Sequence, residues 1–96
     1  MLLGVLQAGP DAYGVPVWEA IVARTGRDVS LGAVYKTLER LEAKTLVSSG
    51  FGEPTPERGG RRKRHYHVTP QGLRVLRQTV SALERMRAGL EELLET

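Results

Sequence analysis

Hydrophobic positions change their period along this chain, and each change marks an element. Residues 2–8 (LLGVLQA) form a short apolar run that Gly9-Pro10 stops, which predicts a first helix. Val17, Trp18, Ile21 and Val22 recur at i, i+1, i+4 and i+5, one face of a second helix running from Asp11 to Arg24. Asp11 is placed to cap that helix and Gly26 to end it. Pro16 fits only a first turn, so the helix either begins effectively at Val15 or bends there. Leu31, Val34, Leu38 and Leu41 share one face of a third helix, with Ser30 as its N-cap and an end near Lys44-Thr45.

The period then falls to two. LVSSGF (46–51) reads as a strand, GEPTPERGG (52–60) as a loop by its prolines and glycines, and RRKRHYHV (61–68) as a second strand. In that strand Arg62, Arg64, Tyr66 and Val68 share one face, and Arg61, Lys63, His65 and His67 the other. Thr69-Pro70 opens a last helix, as a cap followed by proline at the first helical position. No proline intervenes before Glu95, so this helix should run about 26 residues, roughly 39 Å. Leu73, Leu76, Val80, Leu83, Arg87, Leu90 and Leu94 step by three and four, a heptad seam interrupted at Arg87 with Met86 beside it. A body of about 70 residues cannot cover that whole stripe. A second copy of the helix is its natural partner.

The order helix, helix, helix, hairpin, helix is an α+β, mostly helical architecture. It is the order of a winged helix-turn-helix over residues 1–68, the hairpin of about 46–68 being the wing. A C-terminal dimerisation helix over 69–96 completes it.

Charge sharpens the picture. The 96 residues carry a net +3, and five cations (Arg58, Arg61, Arg62, Lys63, Arg64) crowd into positions 58–64. Without those five, nine cations face eleven acids, so the rest of the chain is mildly acidic. Localised basicity of this kind is the footprint of a polyanion site. With no cysteine, disulfides and thiolate metal sites are excluded, and a reducing, cytoplasmic setting is compatible. No apolar run is long enough to span a bilayer, and MLLGVLQAG lacks the basic start of a secretory signal.

Chemistry-bearing constellations are few. Ser30, Ala33, Tyr35, Lys36, Thr37 and Arg40 line or flank the polar side of the third helix, where a DNA-reading surface would lie. The alternative is a solvated helix face, but the basic hairpin favours nucleic acid. Within the hairpin, Arg61 and Arg62 near the loop are the first candidates for phosphate contact, followed by Lys63 and Arg64. Tyr35 has two readings, a hydroxyl on a phosphate or a ring at the core edge; Tyr13 shares them and leans toward the core. His65 and His67 share a strand face but lack a third ligand, so packing outranks a metal site. Gly59-Gly60 lacks the Gly-Lys-Ser/Thr of a phosphate loop. Neither a nucleophile–base pair nor paired acids can be assembled, so the expectation is a protein that is no enzyme and needs no cofactor.

Three stretches carry a resemblance. LLGVLQAGPDAYG (2–14), SLGAVYKTLERLEAKTLV (30–47) and GGRRKRHYHVTPQGLRVL (59–76) resemble the PadR family of bacterial transcriptional regulators. Ser30, Gly32, Tyr35, Leu38, Arg40, Leu41 and Glu42 match its recognition-helix motif; Lys63, Tyr66, Thr69, Pro70 and Gly72 match its wing and the helix beyond. The chain departs from the family pattern at Thr45, where glycine is usual, and at Pro16, where a polar residue is usual. The first helix starts almost at Met1, which leaves a longer N-terminus open.

The resemblance implies a DNA-binding regulator, most often a repressor, acting as a homodimer on a pseudo-palindromic operator. It places the dimer contact on the last helix and the first, with Leu2, Leu3, Leu76, Val80, Leu83, Met86, Leu90 and Leu94 as candidates. It also implies a possible small-molecule effector, with Trp18 able to line its pocket, although a buried core position is the favoured reading of that residue. The competing function is a non-catalytic winged-helix protein-interaction module; a third is non-specific, nucleoid-type DNA binding.

Overall fold

The computed structural model describes residues 1–51 and 64–95, with Asp11 placed by its backbone alone. In chain order they form α1 (Leu2–Ala8), a 3₁₀ turn (Gly9–Asp11), α2 (Gly14–Thr25), α3 (Leu31–Ala43), β1 (Val47–Phe51), β2 (Arg64–Val68), α4 (Pro70–Arg87) and α5 (Glu91–Leu94). This is a mostly helical α+β fold with a two-stranded wing.

Local signals set most boundaries. α1 stops at Gly9, whose φ of 62° is available to glycine without a Cβ clash. α2 does not use Asp11 as its cap: a 3₁₀ turn absorbs that residue, and the extended Tyr13 precedes the helix without any side-chain cap. Pro16 is the third helical residue, where its missing N–H would have had no intrahelical acceptor, so the helix starts cleanly at Gly14. Gly26 closes α2 in the left-handed conformation and donates its N–H to the Val22 carbonyl. Ser30 accepts the Ala33 N–H at 3.1 Å and Thr69 that of Gly72 at 3.0 Å, as their caps require.

The core collects the apolar faces. Val17, Val34 and Leu38 are fully buried, joined by Val5, Ala12, Val47 and Tyr66, and ringed by Leu2, Trp18, Ile21, Leu41 and Val68. β1 and β2 pair antiparallel, with Val47 opposite Val68, Ser49 opposite Tyr66 and Phe51 opposite Arg64. The Tyr66 N–H donates to the Ala12 carbonyl at 2.7 Å, tying β2 to the link between α1 and α2. Gly72 seats the start of α4 against the Leu46 carbonyl, a place no β-carbon can occupy.

The last helix is shorter than its seam suggests. α4 ends at Arg87 after 18 residues, about 27 Å, and does not run unbroken to Glu95. Ala88 turns extended at ψ 130°, Gly89 takes φ 87°, and Glu91 accepts the Gly89 N–H at 3.1 Å. Arg87 pairs with Glu95 at 3.7 Å across the turn. Residues 88–95 are exposed throughout. Packing supplies most helical stability in proteins, and an unpacked stretch holding a glycine lacks that support.

Candidate nucleic-acid interface

α3 presents a solvent face beside the wing. Val34 and Leu38 point inward, leaving Ala33, Lys36 and Arg40 exposed, with Lys36 and Arg40 one turn apart. Thr37 is half-buried and its hydroxyl donates to the Ala33 carbonyl at 2.9 Å, so it is engaged within the helix. Ser30 is exposed while its oxygen serves as the cap. Tyr35 keeps 41% of its surface in solvent, with its ring directly above Gly14. The ring packs, and much of it stays wet.

Arg58, Arg61, Arg62 and Lys63 lie outside the described residues. Arg64 is described, and it is engaged. Its Nη2 donates to Glu42 Oε1 at 3.1 Å and its Nε to Ser49 Oγ at 2.8 Å, while Ser49 donates its hydroxyl to Glu42 Oε2. The guanidinium also lies 5.7 Å from the centre of the Phe51 ring. The sequence places Arg64 among the candidate phosphate contacts and Glu42 only in the recognition-helix motif. The available signal was the shared strand face of Arg64 and Tyr66, which turns Arg64 toward the body of the fold.

The remaining wing residues sort by strand alternation. Tyr66 is buried, and that burial pushes its hydroxyl above the ordinary value near 10, the nearby Arg64 opposing the shift. His65 is half-buried, tilted against Tyr13 with ring centres 5.4 Å apart; His67 is exposed. Among the described residues, no three His, Cys, Asp or Glu side chains gather as a metal site would require.

Trp18 is half-buried against the core and its indole N–H donates to the Val29 carbonyl at 2.6 Å. This bond fastens α2 to the turn that leads into α3. A cleft of about 440 Å³ opens nearby between α1 and α2, lined by Leu3, Gly4, Ile21 and Arg24 among others, and Trp18 is not in its wall.

The candidate dimer residues divide. Val80, Leu83, Met86, Leu90 and Leu94 are exposed, with Leu83 at 63% and Met86 at 77%; Leu3 is exposed on α1. Leu76 is half-buried and Leu2 packs against the core. Among the described residues no helix is long and apolar enough to cross a membrane.

Comparison with known proteins agrees with this architecture. Residues 2–78 match the model of the transcriptional regulator PadR-like family. A PadR family transcriptional regulator from Eggerthella lenta is similar at 28% identity and a TM-score of 0.69, over 98% of this chain and 82% of that one. A PadR-like transcriptional regulator from Bacillus cereus shares the fold at 19% identity and a TM-score of 0.75, over 98% of this chain and 89% of that one. A PadR family transcription regulator from Clostridium difficile does so at 19% and 0.70, over 98% and 99%. No curated protein matches. With a family match over most of its length and the wing and helices in their places, the chain belongs to the PadR-like family of DNA-binding transcriptional regulators.

Proposed function

We propose that this regulator is a cytoplasmic homodimer that represses transcription from a pseudo-palindromic operator. The observation that carries the reading is the exposed pair Lys36 and Arg40 on α3, in a chain whose sequence between β1 and β2 holds four further cations. α3 enters the major groove, where Lys36 and Arg40 reach base edges or phosphates and Ser30, Ala33, Tyr35 and Thr37 shape the contact. Arg58, Arg61, Arg62 and Lys63 meet phosphate on the flank.

The division of labour follows the chain: residues 1–68 bind DNA and residues 69–96 hold two copies together. The exposed Val80, Leu83 and Met86 supply the buried area of that interface, joined by Leu3 from α1. The two recognition helices then stand about one DNA turn apart, near 34 Å. An effector at Trp18 would act through the ring, because the indole N–H is already bound to Val29.

The test is a titration of the wild-type protein against duplex from its own promoter region and against random duplex, from low to moderate salt. Specific binding with a steep salt dependence is expected. Equal affinity for both duplexes would favour nucleoid-type binding. No binding to either at low micromolar protein would favour a protein-interaction module.

A further inference from the structure

We infer that Glu42, Ser49 and Arg64 form a strut that fixes the direction of the wing against α3. Glu42 and Arg64 are then positioning residues for DNA binding and not DNA contacts, an inference that rests on the DNA reading above.

The three residues come from three elements: the last turn of α3, β1 and the first described residue of β2. Both carboxylate oxygens of Glu42 are used, one by Arg64 at 3.1 Å and the other by Ser49. Arg64 closes the triangle through Nε to Ser49 at 2.8 Å and lies over Phe51, its partner across the ladder. A two-stranded hairpin alone is marginal in water and depends on contacts with the body of the fold. Its base is held at Val47, Val68 and by the bond from Tyr66 to Ala12. The strut grips it further out, at the Phe51–Arg64 rung, the last described rung before the basic loop. A restraint placed there sets the direction in which the two strands leave the body beside α3.

Charge makes the inference decidable. Arg64 sits beside a carboxylate, so its charge is locally balanced in the free protein. If Arg64 were a phosphate contact, Glu42 would only compete with the DNA, and Glu42→Gln would tighten binding and steepen the log K–log salt slope by about one unit. The strut requires the opposite sign: Glu42→Gln removes a negative charge yet weakens binding, because the wing must be ordered on the DNA. A loss of about three- to tenfold is expected, with the slope unchanged. The side chains of Arg64 and Glu42 remain 47% and 30% exposed, so the pair adds little to global stability and the variant should fold.

The experiment titrates wild type, Glu42→Gln and Arg64→Lys against operator-bearing duplex at several salt concentrations. It also follows hydrogen exchange at the β1 and β2 amides of the free proteins. Expected are weaker binding by both variants at an unchanged slope, and faster exchange in β1 and β2 but not in α4. Arg64→Lys keeps the charge but loses the fork that reaches two acceptors, so near-wild-type binding by it would overturn the strut. So would Glu42→Gln binding as tightly as wild type, or unchanged strand exchange. If wild type itself binds no duplex, the DNA reading falls, and the exchange data alone decide whether the strut holds the wing.

Discussion

At Thr45 a β-branched residue holds a φ of 62°, in the turn that leaves α3. Left-handed backbone is costly for any residue with a β-carbon and more so for a branched one. The site is held by its surroundings: Thr69 donates its hydroxyl to the Thr45 carbonyl at 2.7 Å, and the Thr45 hydroxyl donates to Gln71 at 2.9 Å. Asparagine tolerates this conformation and keeps a polar group near Gln71. Thr45→Asn should therefore stabilise the fold by about 0.5–1 kcal/mol, read as a higher urea midpoint at an unchanged slope. An unchanged or lower midpoint would mean that the hydroxyl contact outweighs the strain. Gly14 tests a different constraint. A β-carbon there would overlap the Tyr35 ring, so Gly14→Ala must displace Tyr35 or the start of α2. A loss of about 1–3 kcal/mol is expected, and Gly14→Ala combined with Tyr35→Ala should recover part of it. Tyr66 adds a pH dependence. Its folded-state value is raised because burial disfavours the phenolate, so its contribution is fully present below pH 10 and is lost as pH rises beyond that. Tyr66→Phe should flatten the fall in stability above pH 10 relative to wild type.

Elements were legible where their limits are written in adjacent residues. Ser30, Thr69-Pro70 and Gly26 each act within three or four positions, and each boundary they mark was found. The last helix failed for a complementary reason. Its heptad spacing is real, but the spacing says nothing about whether a partner is present to support residues 88–95, where Gly89 needs no penalty to break the helix. Asp11 failed similarly, since the 3₁₀ turn that displaces it depends on how α1 meets α2. The contact of Glu42 with Arg64 spans 22 positions, and no local period encodes it. The free faces now yield a test. Leu83→Glu with Met86→Glu places charges on two exposed positions of α4, so the monomer should fold normally while the homodimer is lost. Light scattering and far-UV circular dichroism together read this; a dimer that persists would move the interface off α4.

For the whole molecule, the decisive quantity is how charge is divided between specificity and affinity. α3 holds Lys36 and Arg40 on a capped helix, while Arg58, Arg61, Arg62 and Lys63 fall in the sequence between β1 and β2. Lys36→Ala with Arg40→Ala should reduce the preference for operator over random duplex, each lost base contact counting for about 1–3 kcal/mol. Arg61→Ala with Arg62→Ala should instead weaken both duplexes alike and lower the salt slope by about one unit per lost phosphate contact. Should the two double variants behave identically, the assignment of reading to α3 and anchoring to the wing would fail. The molecule measures 53 × 28 × 20 Å, an elongation consistent with α4 standing away from the compact body. That geometry explains why the core was readable from the sequence, while the apolar face of α4 was readable only as an unsatisfied surface.

The bond from the Tyr66 N–H to the Ala12 carbonyl carries a last consequence. A two-stranded sheet has two open margins, each a template on which an unrelated extended chain can be added. Here the β2 margin is capped at its centre by a carbonyl from the link between helices, although no third strand is built among the described residues. Because Ala12 contributes its oxygen and not its amide, a proline at position 12 would leave this safeguard chemically intact, whereas a proline at position 66 would remove it. Tyr66→Pro should therefore leave the β2 margin without this cap, read as light scattering that rises with concentration faster than for Ala12→Pro.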